Sequence, residues 1–510
     1  MKIGSRRPFG LAGALLVAAA AIQLAAATDA SAQARGTSLT MSHPQEPPNW
    51  NYWATGASAM TVPTFHNVIE PLVERLGDGS VAPLLAESWT VSGDGLVYTF
   101  KIRTAKFHDG SNLEAADVVY SLLRNKESPQ AATRTPLAPV VGAEAVDART
   151  VKLTLSAPSQ RLLGELGLAA GVVVPRGLHE KVDLNSKMIG TGPYVFGEYR
   201  PDRHLMLARF DGYWGAKPHF QEVTHRFIPD ETAAINALLA GQIDLVGAVL
   251  CEGLDRIRSV KANPRFQVVS PKPFEVNYLF LTTRNEVLRD LRVRQAIAHA
   301  VERDEIVAGG QSGFAESTCL MVIPPTEPWN TGYCPYKHDP ARARQLLAAA
   351  GRANLTLDFP FLSIAEFPPI KDMLVAQLAK VGITLKTRPL DLATWLERVN
   401  ANGEYEFTNL TSGAKAEAYV CKGGRQPLGR DNSVVCDEAF DRLIGKADAI
   451  VNREEYLKTM TEAMKVMADS AWVIPLHQKF TPTLARADLE GFKAYRYRVE
   501  LDLRKLRWKN

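Results

Sequence analysis

The sequence predicts an α/β protein divided into two or more lobes. Its 510 residues are 46% hydrophobic and 22% charged, a globular composition, and this length exceeds what one hydrophobic core usually serves. The N-terminal half is rich in segments that alternate apolar and polar residues, whereas helical and strand-like segments alternate from Pro229 onward. Alternating helices and strands favour a largely parallel sheet covered by helices.

The first 34 residues have the pattern of a cleaved secretory signal. Basic residues precede an apolar run over positions 11–27, and small residues close the segment at Ala34. The run is short for a bilayer core, so residues 1–34 are predicted as a signal peptide cleaved near Ala34, not as a membrane anchor. The paired Arg6 and Arg7 also resemble a twin-arginine signal, so the general and the twin-arginine export routes both stay open. We expect the mature protein outside the cytoplasm.

Regular alternation predicts four strands in the N-terminal half, because a half-buried strand turns every second side chain toward the core. The apolar spacing over residues 64–74 predicts a helix in front of them. The four predicted strands cover residues 97–103, 151–155, 204–210 and 222–228.

Capping residues mark helices in the C-terminal half. Asp230, Asp290 and Asp339 each stand directly before an apolar periodic segment, where a carboxylate can accept from the first backbone N–H groups. Gly351 follows the third of these segments, as expected at a helix C-terminus. Further helices are predicted over residues 371–381, 438–447 and 454–468, and a methionine stripe on the last is assigned to the core.

Four of the five cysteines fall into two pairs with the same spacing. Cys319 with Cys334 and Cys421 with Cys436 are therefore interpreted as two local disulfides, which suit an oxidising compartment. A metal site is the alternative, but the C-x-x-C and histidine spacing that it requires is absent. Cys251 is left over as a free thiol.

Charge and composition exclude several functions. The net charge is +4, and no basic cluster interleaved with aromatic residues indicates nucleic-acid binding. No stretch after the signal reaches the ~18 apolar residues of a spanning helix. His66 and His477 are interpreted as structural residues, so neither a metal nor another cofactor is expected.

Several blocks in fixed order resemble those of the family 5 bacterial extracellular solute-binding proteins, which include periplasmic oligopeptide, dipeptide and nickel receptors. They extend across nearly the whole mature chain. The blocks are Pro83–Trp89 with Asp94-Gly95, Phe107–Ser111 with Ala115–Leu122, Gly190–Tyr194, Asp211–Gly215, Asp290–Ala296, and Pro475-Leu476.

The resemblance implies a two-lobed fold, the periplasmic-binding-protein type II fold, with an extra subdomain on the first lobe. The chain would cross between lobes near residues 272–279 and 472–481. The implied parts are lobe I in residues 35–76, the extra subdomain in 77–168, lobe I again in 169–275, lobe II in 276–477, and a return to lobe I in 478–510.

The function implied by the resemblance is that of the extracytoplasmic receptor of an ABC importer. Such a receptor captures a small solute, here a peptide or peptide-like, opine-like or other small polar molecule, by hinge closure. It then delivers this ligand to the permease in the inner membrane. A periplasmic, monomeric, non-enzymatic protein is expected.

The resemblance also suggests which residues line the cleft. Lys415 and its neighbours stand near the place where peptide-binding members carry an Asp-rich stretch, which favours an anionic or neutral solute. Glu417 is the alternative source of a carboxylate. The implied ligand-binding residues are Trp53, Thr55, Gly56, Tyr278, Ser412, Gly413, Lys415 and Tyr419.

Two other functions remain as alternatives. Ser412 and Lys415 match the S-x-x-K motif of a secreted serine hydrolase, in which the lysine can activate the serine. The supporting Ser-Asp-Asn and Lys-Thr-Gly motifs are absent from the sequence. A receptor that senses a ligand, or a chaperone, without coupling to import is the second alternative.

Overall fold

The computed structural model describes residues 36–53, 58–76, 79–247, 254–269, 275–282, 284–310, 315–321, 329–363, 367–412, 416–420, 437–479, 482–492 and 502–509. The predicted signal peptide and Cys251 lie outside these residues. Within the described ranges, no helix has the length and apolar character that crossing a membrane requires.

Strands predominate in the first half of the chain. Its elements are β1 (Ser38–His43), α1 (Ser58–Thr64), β2 (Glu70–Pro71), β3 (Val73–Arg75), β4 (Val81–Pro83), β5 (Ala86–Val91), β6 (Val97–Ile102), α2 (Ala115–Lys126), α3 (Ala131–Arg134), β7 (Val140–Asp147), β8 (Thr150–Leu155), α4 (Leu162–Glu165), β9 (Val172–Val173), α5 (Leu178–Lys181), β10 (Tyr194–Arg200), β11 (His204–Arg209), β12 (Glu222–Phe227), α6 (Glu231–Leu239), β13 (Leu245–Val246), α7 (Leu254–Ala262) and β14 (Phe266–Val269).

Helices become longer in the second half. Its elements are β15 (Glu275–Leu281), α8 (Glu286–Arg289), α9 (Leu291–Ala300), α10 (Arg303–Gly310), β16 (Ala315–Ser317), α11 (Pro340–Ala349), β17 (Leu355–Leu362), α12 (Phe367–Ala379), β18 (Ile383–Leu390), α13 (Leu392–Trp395) with a π-helical extension (Leu396–Ala401), β19 (Phe407–Ser412), α14 (Glu438–Ala449), α15 (Arg453–Ser470), β20 (Val473–Lys479), β21 (Thr483–Arg486), β22 (Leu489–Glu490) and β23 (Arg507–Trp508).

A seven-stranded sheet organises the first lobe, in the order β10-β11-β12-β1-β13-β21-β14. Its central strand β1 runs parallel to β12 and β13. Strand β21 comes from the far end of the sequence, yet it lies antiparallel between β13 and β14. The first lobe is therefore completed by residues close to the C-terminus.

A separate antiparallel sheet, in the order β5-β6-β8-β7, stands beside this lobe. Helix α2 packs on it through buried residues such as Val118 and Leu122. We call these elements, together with the segment 156–161 that follows β8, the extra subdomain. Its apolar side chains join those of the seven-stranded sheet in one hydrophobic core.

The second lobe contains a sheet in the order β16-β20-β15-β19 and the parallel pair β17 and β18. Helices α9 and α11 pack together, as do α14 and α15. The second lobe has its own core, which extends along the chain from Val276 to Leu476. Because neighbouring elements β14 and β15, and likewise β20 and β21, belong to different sheets, the chain passes between the lobes twice.

Most of the predicted elements are confirmed. The four predicted strands correspond to β6, β8, β11 and β12. Asp230 caps α6 by accepting from the backbone N–H of Ala233 at 2.6 Å, and Asp339 caps α11 through Arg342 at 2.8 Å. The methionine stripe of α15 is buried as expected.

The helix predicted over residues 64–74 is wrong. The structure ends α1 at Thr64 and forms the short strands β2 and β3 instead. Two residues explain the difference. His66 adopts a left-handed φ of 62°, and Pro71 has no backbone N–H to donate within a helix. The apolar spacing arises because this segment is buried on more than one side.

Candidate functional site

The first lobe contributes Trp53 to the candidate site. Its indole N–H donates to the carbonyl oxygen of Arg124 at 2.8 Å, and its own carbonyl accepts from the Ser128 hydroxyl at 2.8 Å. The Arg124 guanidinium also lies 5.0 Å from the ring centroid. These contacts fix Trp53 against the end of α2 and leave its side chain partly exposed. Thr55 and Gly56 lie outside the described residues.

The second lobe contributes Tyr278 and Tyr419, which are both buried. Burial and the neighbouring Tyr419 raise the pKa of Tyr278 well above its usual value, and burial raises the pKa of Tyr419. Within the described part of the chain, neither hydroxyl has a hydrogen-bond partner. Ser412 ends β19 opposite Val276 of β15, whereas Tyr278 lies opposite Leu410. Gly413 and Lys415 lie outside the described residues.

A row of polar residues that sequence reasoning missed crosses the same sheet. Asn277 on β15 lies opposite Thr411 of β19 on one side and opposite His477 of β20 on the other. Its side-chain amide donates to the Thr411 hydroxyl at 2.9 Å. Among the described residues, the Asn277 side-chain oxygen and both amide atoms of the buried Asn409 have no partner. Polar residues at strand positions inside an apolar run were the available signal.

A buried carboxylate, Glu70, explains two of the sequence blocks. It accepts hydrogen bonds from the Thr191 hydroxyl at 2.8 Å, the Tyr213 hydroxyl at 2.9 Å and the Trp214 indole N–H at 2.9 Å. The Arg103 guanidinium stacks 3.6 Å from the centroid of the Trp214 ring. Burial raises the pKa of Glu70 to about 6, although the three donors oppose the shift. These blocks are scaffold, because they position one another around Glu70.

The glycines of the block Gly190–Tyr194 are required by close packing. A Cβ at Gly190 would lie 2.2 Å from the carbonyl oxygen of Val68, and one at Gly192 would lie 2.5 Å from that of Asn67. Any side chain at either position would displace the backbone that precedes Glu70.

Cys319 and Cys334 form a disulfide with Cα atoms 5.3 Å apart. Cys421 and Cys436, the other predicted pair, lie outside the described residues. Across the described ranges, no group of three or more His, Cys, Asp or Glu side chains is placed to hold a metal ion.

The family described as "Bacterial extracellular solute-binding proteins, family 5 Middle" matches residues 80–415, more than half of the chain. The chain belongs to this family. Its α/β lobes have the type II periplasmic-binding-protein fold of family 5.

Family 5 relatives cover most of the chain. The dipeptide-binding protein of Escherichia coli strain K12 is 26% identical over 86% of this chain and 88% of its own length. A putative ABC transporter peptide-binding protein of Brucella ovis is 31% identical over 69% of this chain and 67% of its own length. The structure of AgaA from A. tumefaciens R10, in complex with agropinic acid, matches with a TM-score of 0.75 and 25% identity. It covers 93% of this chain and 99% of that one.

This family 5 protein is an extracytoplasmic substrate-binding protein of the ABC-importer class. The family is a class of non-enzymatic transport receptors, and the comparisons give no support to the S-x-x-K hydrolase alternative. Family members bind small ligands and work with ABC permeases, and the relatives are periplasmic.

Proposed function

We propose that this family 5 protein is a monomer in the periplasm and closes its two lobes on a small polar solute. It delivers the solute to an ABC permease of the inner membrane. Residues 1–34 would be removed on export, by the general or the twin-arginine route. The observation that carries the proposal is that the hydrophobic core of the second lobe is separate from the two core clusters of the first lobe, while two chain passages join the lobes. A solute that contacts both lobes shifts a hinge equilibrium by its differential affinity for the closed state.

Orphaned polar atoms support a binding site on the second lobe. A buried hydroxyl or amide without a partner costs about 1–3 kcal/mol, so unpartnered groups call for an explanation. Among the described residues, several such groups lie on and beside β15 and β19, at Tyr278, Asn277, Asn409 and Tyr419. We assign these four residues, with Ser412, to the solute-binding wall of the second lobe. Trp53 belongs to the opposite wall, with Thr55 and Gly56.

The proposed solute is peptide-like or opine-like. The relatives' names include a dipeptide, peptides and agropinic acid, all compact molecules that carry both carboxylate and hydrogen-bonding groups. Lys415 is proposed to face an acidic group of the solute, since a flexible ammonium pairs readily with a carboxylate. Replacing Lys415 with alanine should then weaken binding of carboxylate-bearing solutes selectively.

The test begins with native mass spectrometry of protein purified from its own host, to identify a co-purified solute. Titration calorimetry with that solute, with dialanine and with agropinic acid then compares wild type with Tyr419→Phe. Loss of a hydrogen bond from this hydroxyl should weaken binding about two- to tenfold. Tyr405→Phe is the matched control. Tyr405 is also buried in the second lobe, and its hydroxyl has no partner within the described ranges, but it precedes the other end of β19.

Small-angle scattering tests the closure itself. A bound solute should reduce the radius of gyration. Identical scattering profiles with and without saturating solute would contradict capture by hinge closure, even if binding were tight.

A further inference from the structure

The extra subdomain contacts the second lobe at the loop between α14 and α15. The Arg161 guanidinium lies 3.0 Å from the Asp448 carboxylate, and the Gln160 side-chain amide donates to the backbone carbonyl of Val451. We call this set of residues, together with Gly95 and Pro158, the bridge contact. It joins residues almost 300 positions apart in the chain and involves residues of neither passage between the lobes.

An apolar contact accompanies these polar ones. A Cβ built on Gly95 would lie 3.3 Å from a γ-methyl of Val451 and 3.2 Å from Pro158. Gly95 has a left-handed φ of 71°, so the tight turn between β5 and β6 requires glycine there and also leaves room for Val451. The Asp94-Gly95 block therefore forms the turn between β5 and β6 and also leaves space for the Val451 side chain.

The position of Asp448 in its helix also supports a contact between the lobes. It stands in the last turn of α14, where the partial negative charge of the helix end disfavours a carboxylate. Lys446, close by, is the residue type that this helix end favours. The ion pair with the Arg161 guanidinium offsets this unfavourable position. The placement of Asp448 is therefore explained by its contact with the other lobe.

We infer that the bridge contact stabilises the lobe arrangement found here, so that Arg161 and Asp448 help to set the hinge equilibrium from outside the solute cleft. This inference rests on the proposed function, because it presupposes a hinge. The two side chains are 37% and 45% exposed, so the pair is weak and screened by salt. Breaking it should change the ratio of lobe arrangements about two- to fivefold. A hinge rotation that moves these residues apart by several ångströms would abolish the contact.

The test measures the distance between the lobes without any solute. Val141 of β7 and Lys458 of α15 are both exposed and can be replaced by click-reactive amino acids that carry spin labels. Pulsed electron paramagnetic resonance then measures the distance between the two labels. Arg161→Asp should reduce the population at the wild-type distance two- to fivefold. The charge swap Arg161→Asp/Asp448→Arg should restore it. Raising the salt concentration should shift wild type toward the Arg161→Asp distribution.

Arg149→Ala is the matched control. It removes an ion pair with Glu87 of the same 3.0 Å length and similar exposure, within the extra subdomain alone. Val451→Ala is a second variant, which should shift the distribution without altering charge. Unchanged distributions in Arg161→Asp and Val451→Ala, or an equal shift in Arg149→Ala, would overturn the inference. Because no solute is present, that result would leave the proposed solute capture intact.

Discussion

Two buried ionisable residues of the first lobe give the stability opposite dependences on pH. Burial raises the pKa of Glu70 to about 6, so its favourable contribution is complete below pH 4.5 and is lost as the pH rises through 6. Burial, aided by the neighbouring His43, lowers the pKa of His225 to about 3. The contribution of His225 is complete above pH 6.5 and declines as the pH falls, because the unfolded chain then binds the proton more readily.

Replacing His225 tests the predicted direction of this pH dependence of stability. Both its ring nitrogens lack partners among the described residues, and the side chain is buried beside Leu205. His225→Leu should therefore leave stability at pH 7.5 unchanged or raise it, since no hydrogen bond is lost. At pH 5 the variant should be more stable than wild type by about 2 kcal/mol beyond any difference at pH 7.5. Urea unfolding at the two pH values measures the difference.

His219→Gln serves as the control, because His219 is exposed and should not produce this pH-dependent gain. A His225→Leu variant whose advantage does not grow between pH 7.5 and pH 5 would show that the folded lobe accepts the proton on His225. Buffer water would then have to reach this ring in the native state.

At the scale of single elements, the disulfide fixes the segment between β16 and α11. Cys319 and Cys334 enclose part of this segment, whose described residues form no helix or strand. The crosslink limits the unfolded chain more than the folded one. Its contribution should therefore appear in the free energy of unfolding of the second lobe.

Cys319→Ser/Cys334→Ser should lower the free energy of unfolding of the second lobe by about 3 kcal/mol. Urea unfolding, followed by fluorescence and by hydrogen exchange of β16 and β20, measures the loss. The wild-type protein treated with reductant is the companion experiment and should approach the variant. Equal midpoints for the variant and the oxidised wild type would exclude a stabilising role for the crosslink.

Local chemistry explains which elements the sequence predicts well. Capping by Asp230, Asp290 and Asp339 depends on atoms two or three residues away, and all three carboxylates accept from the expected helix N-termini. The helix predicted around His66 and Pro71 is wrong. The apolar residues there have a helical spacing, but the left-handed backbone of His66 and the missing N–H of Pro71 are incompatible with a helix. Periodicity alone does not separate a helical stripe from a segment buried on several sides.

The candidate site is predictable only where a family pattern marks it. Tyr278 and Tyr419 could be proposed because the family resemblance implies a cleft near the first passage between the lobes and beside residues 411–415. Asn277 and Asn409 are marked in the sequence only as polar residues inside apolar strand segments, and their significance lies in the partners that they lack among the described residues after folding. Glu70 likewise depends on Thr191 and other donors more than 100 positions away. Such long-range pairings have no signature within a sequence window.

At the scale of the whole molecule, the sheets interleave distant parts of the chain. Strand β21 occupies an interior position of the first lobe's sheet, so this lobe cannot complete its sheet until residues 483–486 are available. Contacts between such distant segments are slow to form, because the loop entropy must be lost first. By contrast, the second lobe's core lies within one continuous stretch, from Val276 to Leu476.

This arrangement predicts that two leucines close together in sequence stabilise different lobes. Leu476 and Leu484 are both fully buried, one in the second lobe's core and the other between α6 and α7 in the first lobe. Each alanine variant should lose about 2–5 kcal/mol. Hydrogen exchange should accelerate in β13 and β14 for Leu484→Ala, and in β15 and β19 for Leu476→Ala, because each substitution weakens only the core that contains it. If both variants accelerated exchange in the same strands to the same extent, the two lobes would unfold as one cooperative unit, and the prediction that each leucine stabilises only its own lobe would be wrong.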